Sequence, residues 1–126
     1  MKFKYPLAGE TISKKDIDLL VNWLSDYPRL TMGEVTKEFE RQWARYIGTE
    51  NSIFVNSGSS ANMLMVYLAL VSGKLKRGDK VIVPSCGWAT TVAPIIQFGL
   101  TPVMVDANKY NYGVDVEKVE EICQSE

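Results

Sequence analysis

From Ser52 onward the chain alternates short apolar runs with helical patterns, and this alternation restricts its fold more than any other feature. Ser52–Val55, Lys80–Pro84 and Thr101–Val105 read as strands. Ala61–Val71, Ala89–Phe98 and a segment opened by Asp115 read as helices between and after them. Lys80-Val81-Ile82-Val83-Pro84 shows no polar alternation, the pattern of a parallel strand covered on both faces. Helical crossovers between apolar strands predict an α/β fold, a three-layer arrangement with helices on both sides of a mainly parallel sheet. One position resists the pattern. Pro94 lies inside the Ala89–Phe98 helix, where proline costs about 3 kcal/mol or kinks the axis, so either the first part is a loop or the helix bends.

The first part of the chain is helical instead. Met1–Ile12 reads as an extended arm broken by Pro6 and Gly9. Ser13 and Asp16 form a capping-box pattern with Asp in place of the usual Glu or Gln. Ile17, Leu20, Val21 and Leu24 then recur at helical spacing up to Tyr27-Pro28. A second helix is predicted from Glu34 to Ile47, with Val35, Phe39, Trp43, Tyr46 and Ile47 as its buried face and Gly48 ending it. The nearly all-round apolar pattern of Ala61–Val71 predicts a helix buried between layers.

Composition narrows the function. The chain has 126 residues, 46% hydrophobic and 23% charged, enough for one modest core. A net charge of -1 with mixed signs gives no basic stripe for nucleic acid or an anionic membrane. The run Met63–Val71 is too short to span a bilayer. Lys2 and Lys4 precede no apolar stretch of signal-peptide type. Cys86 and Cys123 lack metal-ligand spacing, which points to two free thiols in a cytoplasmic setting. With no histidine, the commonest general base is missing.

The chemistry-bearing stretch is Ile53-Phe54-Val55-Asn56-Ser57-Gly58-Ser59-Ser60-Ala61-Asn62-Met63. A strand, a small-residue turn and a helix start aim backbone N–H groups at one point, and the helix terminus adds partial positive charge. That is an anion cup suited to a phosphate monoester; serines that merely cap the helix are the other reading. In parallel sheets ligands bind outside the carboxyl ends of the strands. The serine turn, Trp88 after Pro84, and Asp106 after Val105 all fall at that edge. Trp88 either covers a flat heteroaromatic ring by stacking or fills the gap between strand and helix. A phosphate cup beside an aromatic plate suits pyridoxal phosphate. A dinucleotide site lacks its Gly-x-Gly-x-x-Gly, and a Walker loop lacks its Gly-Lys-Ser/Thr.

Four stretches in order carry a family resemblance: Asn56–Asn62, Gly78–Pro84, Trp88–Ile95 and Gly99–Asp106. Together they resemble the DegT/DnrJ/EryC1/StrS family of pyridoxal-phosphate nucleotide-sugar aminotransferases and related sugar 3-dehydrases. The likeness runs from the Ser13 helix to the last helix. It implies the N-terminal part of the large domain of the type I aminotransferase fold, with residues 1–33 as arm and first helix and residues 34–126 as an incomplete cofactor-binding domain. It assigns the cofactor phosphate to Gly58, Ser59 and Ser60 and the pyridine ring to Trp88. Asn56 and Ser57 shape the turn, and Asp106 is structural. It implies no catalytic residue in this chain. The family's Schiff-base lysine, or the histidine of the 3-dehydrases, lies beyond residue 126, as does the acid that meets the pyridine nitrogen. Lys74, Lys76 and Lys80 sit in polar loops or at a strand edge, not in the apolar setting a Schiff-base lysine needs. The family's sheet also sets later strands beside Ser52–Val55. Since Gln124-Ser125-Glu126 follows the last helix without a cap, the chain is expected to be a fragment, inactive alone. The whole enzyme is expected to be a homodimer that moves an amino group from an amino acid to a nucleotide-linked keto sugar. A sugar 3-dehydrase of the same family, or a non-catalytic phosphate-binding module, are the alternatives.

Overall fold

The computed structural model of the chain describes residues 9–125. Of the expected extended arm, residues 1–8 lie outside the described residues, and 9–12 carry no helix or strand. The chain divides into two compact units, one ending at Phe54 and the other beginning at Val55.

The first unit holds α1 (Lys14–Ser25) and α2 (Glu34–Ile47). The capping box forms as expected: Ser13 Oγ accepts from the Asp16 amide at 3.4 Å, and the Ser13 amide donates to Asp16 Oδ2 at 2.8 Å. The Ser13 hydroxyl also donates to Asp16 Oδ2 at 2.7 Å, and this bond, with the one from the Ser13 amide, favours the charged carboxylate and holds Asp16 below the usual carboxylate range. α2 begins and ends at the predicted residues, closed by Gly48 in the left-handed conformation at φ 77°. Arg41 donates twice to Glu38, with Nε to Oε2 at 2.8 Å, and Gln42 adds a third bond. Those hydrogen bonds, Arg41's foremost, lower the Glu38 pKa to about 2.

The expected buried face of α2 is not buried. Only Ala44 of this helix is enclosed, while Val35, Phe39, Trp43, Tyr46 and Ile47 are exposed. The aromatic rings pack on one another instead. Phe39 stacks on Trp43 with centroids 6.1 Å apart and meets Phe54 edge-on at 5.5 Å. The apolar face of α1 is exposed as well. Periodicity locates the face of a helix, but covering it takes a second element.

The second unit holds α3 (Gly58–Val71), β1 (Lys80–Pro84), α4 (Ala89–Gln97), β2 (Thr101–Val105) and α5 (Val116–Ser125). β1 and β2 pair in parallel with Lys80 opposite Thr101 and Pro84 opposite Val105. The ladder extends at both ends: the Gly78 amide donates to the Gly99 carbonyl at 2.7 Å, and the Ser85 amide to the Val105 carbonyl at 2.8 Å. Val83, Ile95 and Leu100 form the core, flanked by Val66 and Leu70 of α3 and by Leu75, Val81 and Val92. Gly99, at φ 75°, turns the chain from α4 into β2.

The third expected strand, Ser52–Val55, is absent. No strand partner reaches it among the described residues, and two of its polar groups bond to Glu40 of α2. The Phe54 amide donates to Glu40 Oε1 at 2.7 Å, and Ser52 Oγ to the Glu40 carbonyl at 2.6 Å. α3 is also not enclosed between layers. One side packs on the core, while Met63, Met65, Tyr67, Leu68 and Val71 remain exposed.

Two measurements follow. Ile95→Ala removes a buried side chain from the centre of the core and is expected to cost about 2–5 kcal/mol, read from urea unfolding by far-ultraviolet circular dichroism. Glu38 titrates lower in the folded chain than unfolded. Its contribution is therefore present above the ordinary value of 4.5 and is lost as pH falls towards about 2. NMR titration is expected to find that low value in the wild type and a return towards the ordinary one in Arg41→Ala.

Candidate functional site

The anion-cup sequence is the first turn of α3. The helix starts at Gly58, three residues before its expected start at Ala61, with Ser57 as N-cap in extended conformation (φ -162°, ψ 160°). Ser57 Oγ accepts from the Ser60 amide at 3.2 Å, and the Ala61 amide donates to the Ser57 carbonyl at 3.1 Å. Ser60 Oγ donates to Asn56 Oδ1 at 2.6 Å. Ser60 is thus engaged at both its amide and its hydroxyl. The amides of Gly58 and Ser59 come first in the helix, where no intrahelical carbonyl can meet them. Among the described residues neither makes a hydrogen bond. Gly58 faces open space where a Cβ would stand. No acidic residue lies in the first turn, so nothing there opposes the partial positive charge of the helix end.

The capping reading of the serines holds for Ser57. Ser57 caps the helix, while Gly58 and Ser59 leave two donors pointing outward. Asn56 shapes the turn, as expected, by holding Ser60. Asp106 also acts structurally: its carboxylate accepts from the Ala107 amide at 2.8 Å and its carbonyl from the Asp115 amide at 3.1 Å.

Trp88 is the N-cap of α4, four residues after the end of β1. Trp88 is 81% exposed, so it does not fill the gap between strand and helix. α4 runs through Pro94 as one helix. Asn62 of α3 donates from Nδ2 to the Thr90 carbonyl of α4 at 3.2 Å, linking the helix that begins at the cup to the helix that begins at Trp88. This contact joins residues 28 apart in the chain and is not legible in the spacing of either helix. Its signal was Pro94, four residues after Thr90, which leaves that carbonyl without a helical donor.

A depression of about 410 Å³ beside α2 is lined by Lys37, Arg41, Glu40 and Glu50 among others. Lys37 and Arg41 there already pair with Glu34 and Glu38. Among the described residues there is no cluster of metal-ligating side chains, and no helix is long and apolar enough to cross a membrane. Cys86 and Cys123 are free and exposed.

The model of the DegT/DnrJ/EryC1/StrS aminotransferase family matches residues 11–126. The chain belongs to this family. It is 38% identical over 117 residues to a GDP-4-keto-6-deoxy-D-mannose 3-dehydratase of Yersinia pseudotuberculosis, covering 91% of this chain and 30% of that protein. It is 34% identical over 98 residues to a GDP-perosamine synthase of Caulobacter vibrioides, covering 78% of this chain and 24% of that one. Among solved structures, an E. coli GDP-4-keto-6-deoxy-D-mannose 3-dehydratase with bound hydrated pyridoxal phosphate superposes with a TM-score of 0.83 at 35% identity. That match covers 94% of this chain and 31% of that chain. The α/β fold is therefore that of the sugar aminotransferase and dehydratase enzymes, and the chain spans about three-tenths of the length of the dehydratases it matches.

Gly58→Ala separates a cup from a simple turn. Alanine meets no atom and favours helix over glycine, so thermal stability is expected to hold or rise. Its methyl group crowds the two free amides, and binding of inorganic phosphate to the complete protein encoded by this reading frame is expected to weaken about tenfold, the loss of one hydrogen bond to a charged group. Unchanged affinity by titration calorimetry leaves only the capping role.

Proposed function

We propose that this chain provides the cofactor-phosphate cup and the ring-stacking tryptophan of a pyridoxal-phosphate enzyme that acts on a nucleotide-linked keto sugar. The observation that carries this reading is the pair of free amides at Gly58 and Ser59, joined through α3 and α4 to the exposed Trp88. A phosphate monoester fits the first and a pyridine ring the second. Gly58 and Ser59 would donate to the phosphate, Ser57 and Asn56 would hold the turn, and Trp88 would cover one face of the ring. Ser60, whose groups are engaged by Ser57 and Asn56, would reach the phosphate only by exchanging those partners. When bound, pyridoxal phosphate supplies an electron sink for carbanion chemistry at the substrate. This chain's share is to bind and orient it.

Within the family, the sugar 3-dehydratase branch is the better supported. Likeness to the Yersinia dehydratase extends over more of the chain, at higher identity, than likeness to the perosamine synthase. Transfer of an amino group from an amino acid to the keto sugar is the second reading, supported by that synthase. In either case residues 34–126 are read as an incomplete cofactor-binding domain of a cytoplasmic homodimer, without turnover of its own. Lys74, Lys76 and Lys80 are all exposed, unlike the enclosed lysine that covalent attachment of the cofactor calls for.

Borohydride treatment of the complete protein loaded with pyridoxal phosphate distinguishes the branches. A 3-dehydratase is expected to yield no cofactor fixed to lysine, and an aminotransferase to yield it stoichiometrically, as read by peptide mass spectrometry. Failure of the complete protein to bind pyridoxal phosphate at all would leave a phosphate-binding module. Trp88→Ala is expected to weaken the cofactor about tenfold, in line with loss of one stacked ring, with no change in affinity for inorganic phosphate.

A further inference from the structure

Proline has no amide hydrogen, and inside a helix its ring also crowds the carbonyl four residues earlier. Pro94 is buried within α4, so the Thr90 carbonyl loses the donor that helix geometry would give it. Asn62 supplies one from another helix, Nδ2 to carbonyl oxygen at 3.2 Å. Both ends of this bond are placed tellingly. Asn62 stands four residues into α3 from Gly58, about 6 Å along the axis, past the turn whose amides call for a cap. Thr90 stands two residues beyond Trp88. Apolar packing between helices is non-directional and tolerates small slides; a side-chain amide on a single carbonyl does not.

We propose that Asn62 is a positioning residue that fixes the distance between the phosphate cup and the Trp88 plate, and that Pro94 is present to leave the Thr90 carbonyl open for it. Asn62 is assigned no contact with the cofactor. Its effect falls on ligands that use cup and plate together and spares ligands that use the cup alone. The inference rests on the pyridoxal-phosphate reading above, and the two probes keep their failures apart.

The experiment compares wild type, Asn62→Ala, Asn62→Leu, Pro94→Ala and the Asn62→Ala/Pro94→Ala pair in the complete protein encoded by this reading frame. Asn62→Ala is expected to weaken pyridoxal phosphate about fivefold, the loss of one neutral hydrogen bond, and to diminish the visible circular dichroism of the bound cofactor. Affinity for inorganic phosphate should not change. Pro94→Ala restores an amide that can donate to Thr90, so in that background Asn62→Ala should have no further effect. Asn62→Leu keeps the side-chain volume without the donor and should match Asn62→Ala, which keeps the test intact should Pro94→Ala fail to fold. Wild-type affinity and dichroism in both Asn62 variants overturn the proposal. So does an equal loss for phosphate and cofactor, or an undiminished Asn62→Ala effect beside Pro94→Ala. A wild type that binds phosphate but not pyridoxal phosphate overturns the cofactor reading and this inference with it.

Discussion

The parallel pairing of β1 with β2 is the interaction on which the second unit depends. Because the strands run the same way, in register from Lys80–Thr101 to Pro84–Val105, both chain segments leave the sheet at the same edge. The connection between them must return along the sheet, and α4 does so, burying Ile95 against Val83 and Leu100. The loop that emerges after β1 therefore has to end in a helix start, and Trp88 occupies that start. The exposure of Trp88 follows from this topology. A residue that caps a crossover helix at the carboxyl edge stands outside the sheet, where a ligand can reach it.

α3 joins this arrangement by two kinds of contact with different consequences. Val66 and Leu70 pack on the core cluster and hold the helix on the sheet. Asn62, nearer the amino end, meets the Thr90 carbonyl. Packing at the far end and a directional bond at the near end hold α3 at two points. A site built from backbone amides requires that, since its donors cannot adjust by side-chain rotation.

The parts legible in the sequence were those set by local chemistry. Glu34–Ile47 appeared at its full length because Gly48 can take a positive φ and ends the helix there. The Ser13–Asp16 box, Lys80–Pro84 and Thr101–Val105 were equally plain. Where α3 begins was less so: Ser-Gly-Ser-Ser has the composition of a turn, yet Ser57 as cap lets Gly58 through Ser60 wind into the helix. Ser52–Val55 has strand composition but forms no strand, because a ladder is a property of two segments and this one bonds to Glu40 instead. The aromatic stripe of α2 shows the same limit: its spacing marks one face, and nothing in the spacing says what covers that face. For Trp88, stacking and gap-filling call for the same residue, and its exposure rules out the second.

The electrostatics of the cup follow from what it lacks. From Asn56 to Asn62 there is no ionisable side chain, and neither α3 nor α4 carries an acid in its first turn. Attraction for an anion must come from the two free amides and from a helix terminus worth roughly half a charge. Nothing in this turn gains or loses a proton near neutral pH. In the proposed site the amides would supply direction and only modest charge, and the Trp88 ring would supply the rest. That shifts importance onto the spacing between cup and plate, and hence onto the Asn62–Thr90 bond and the proline that leaves its acceptor open.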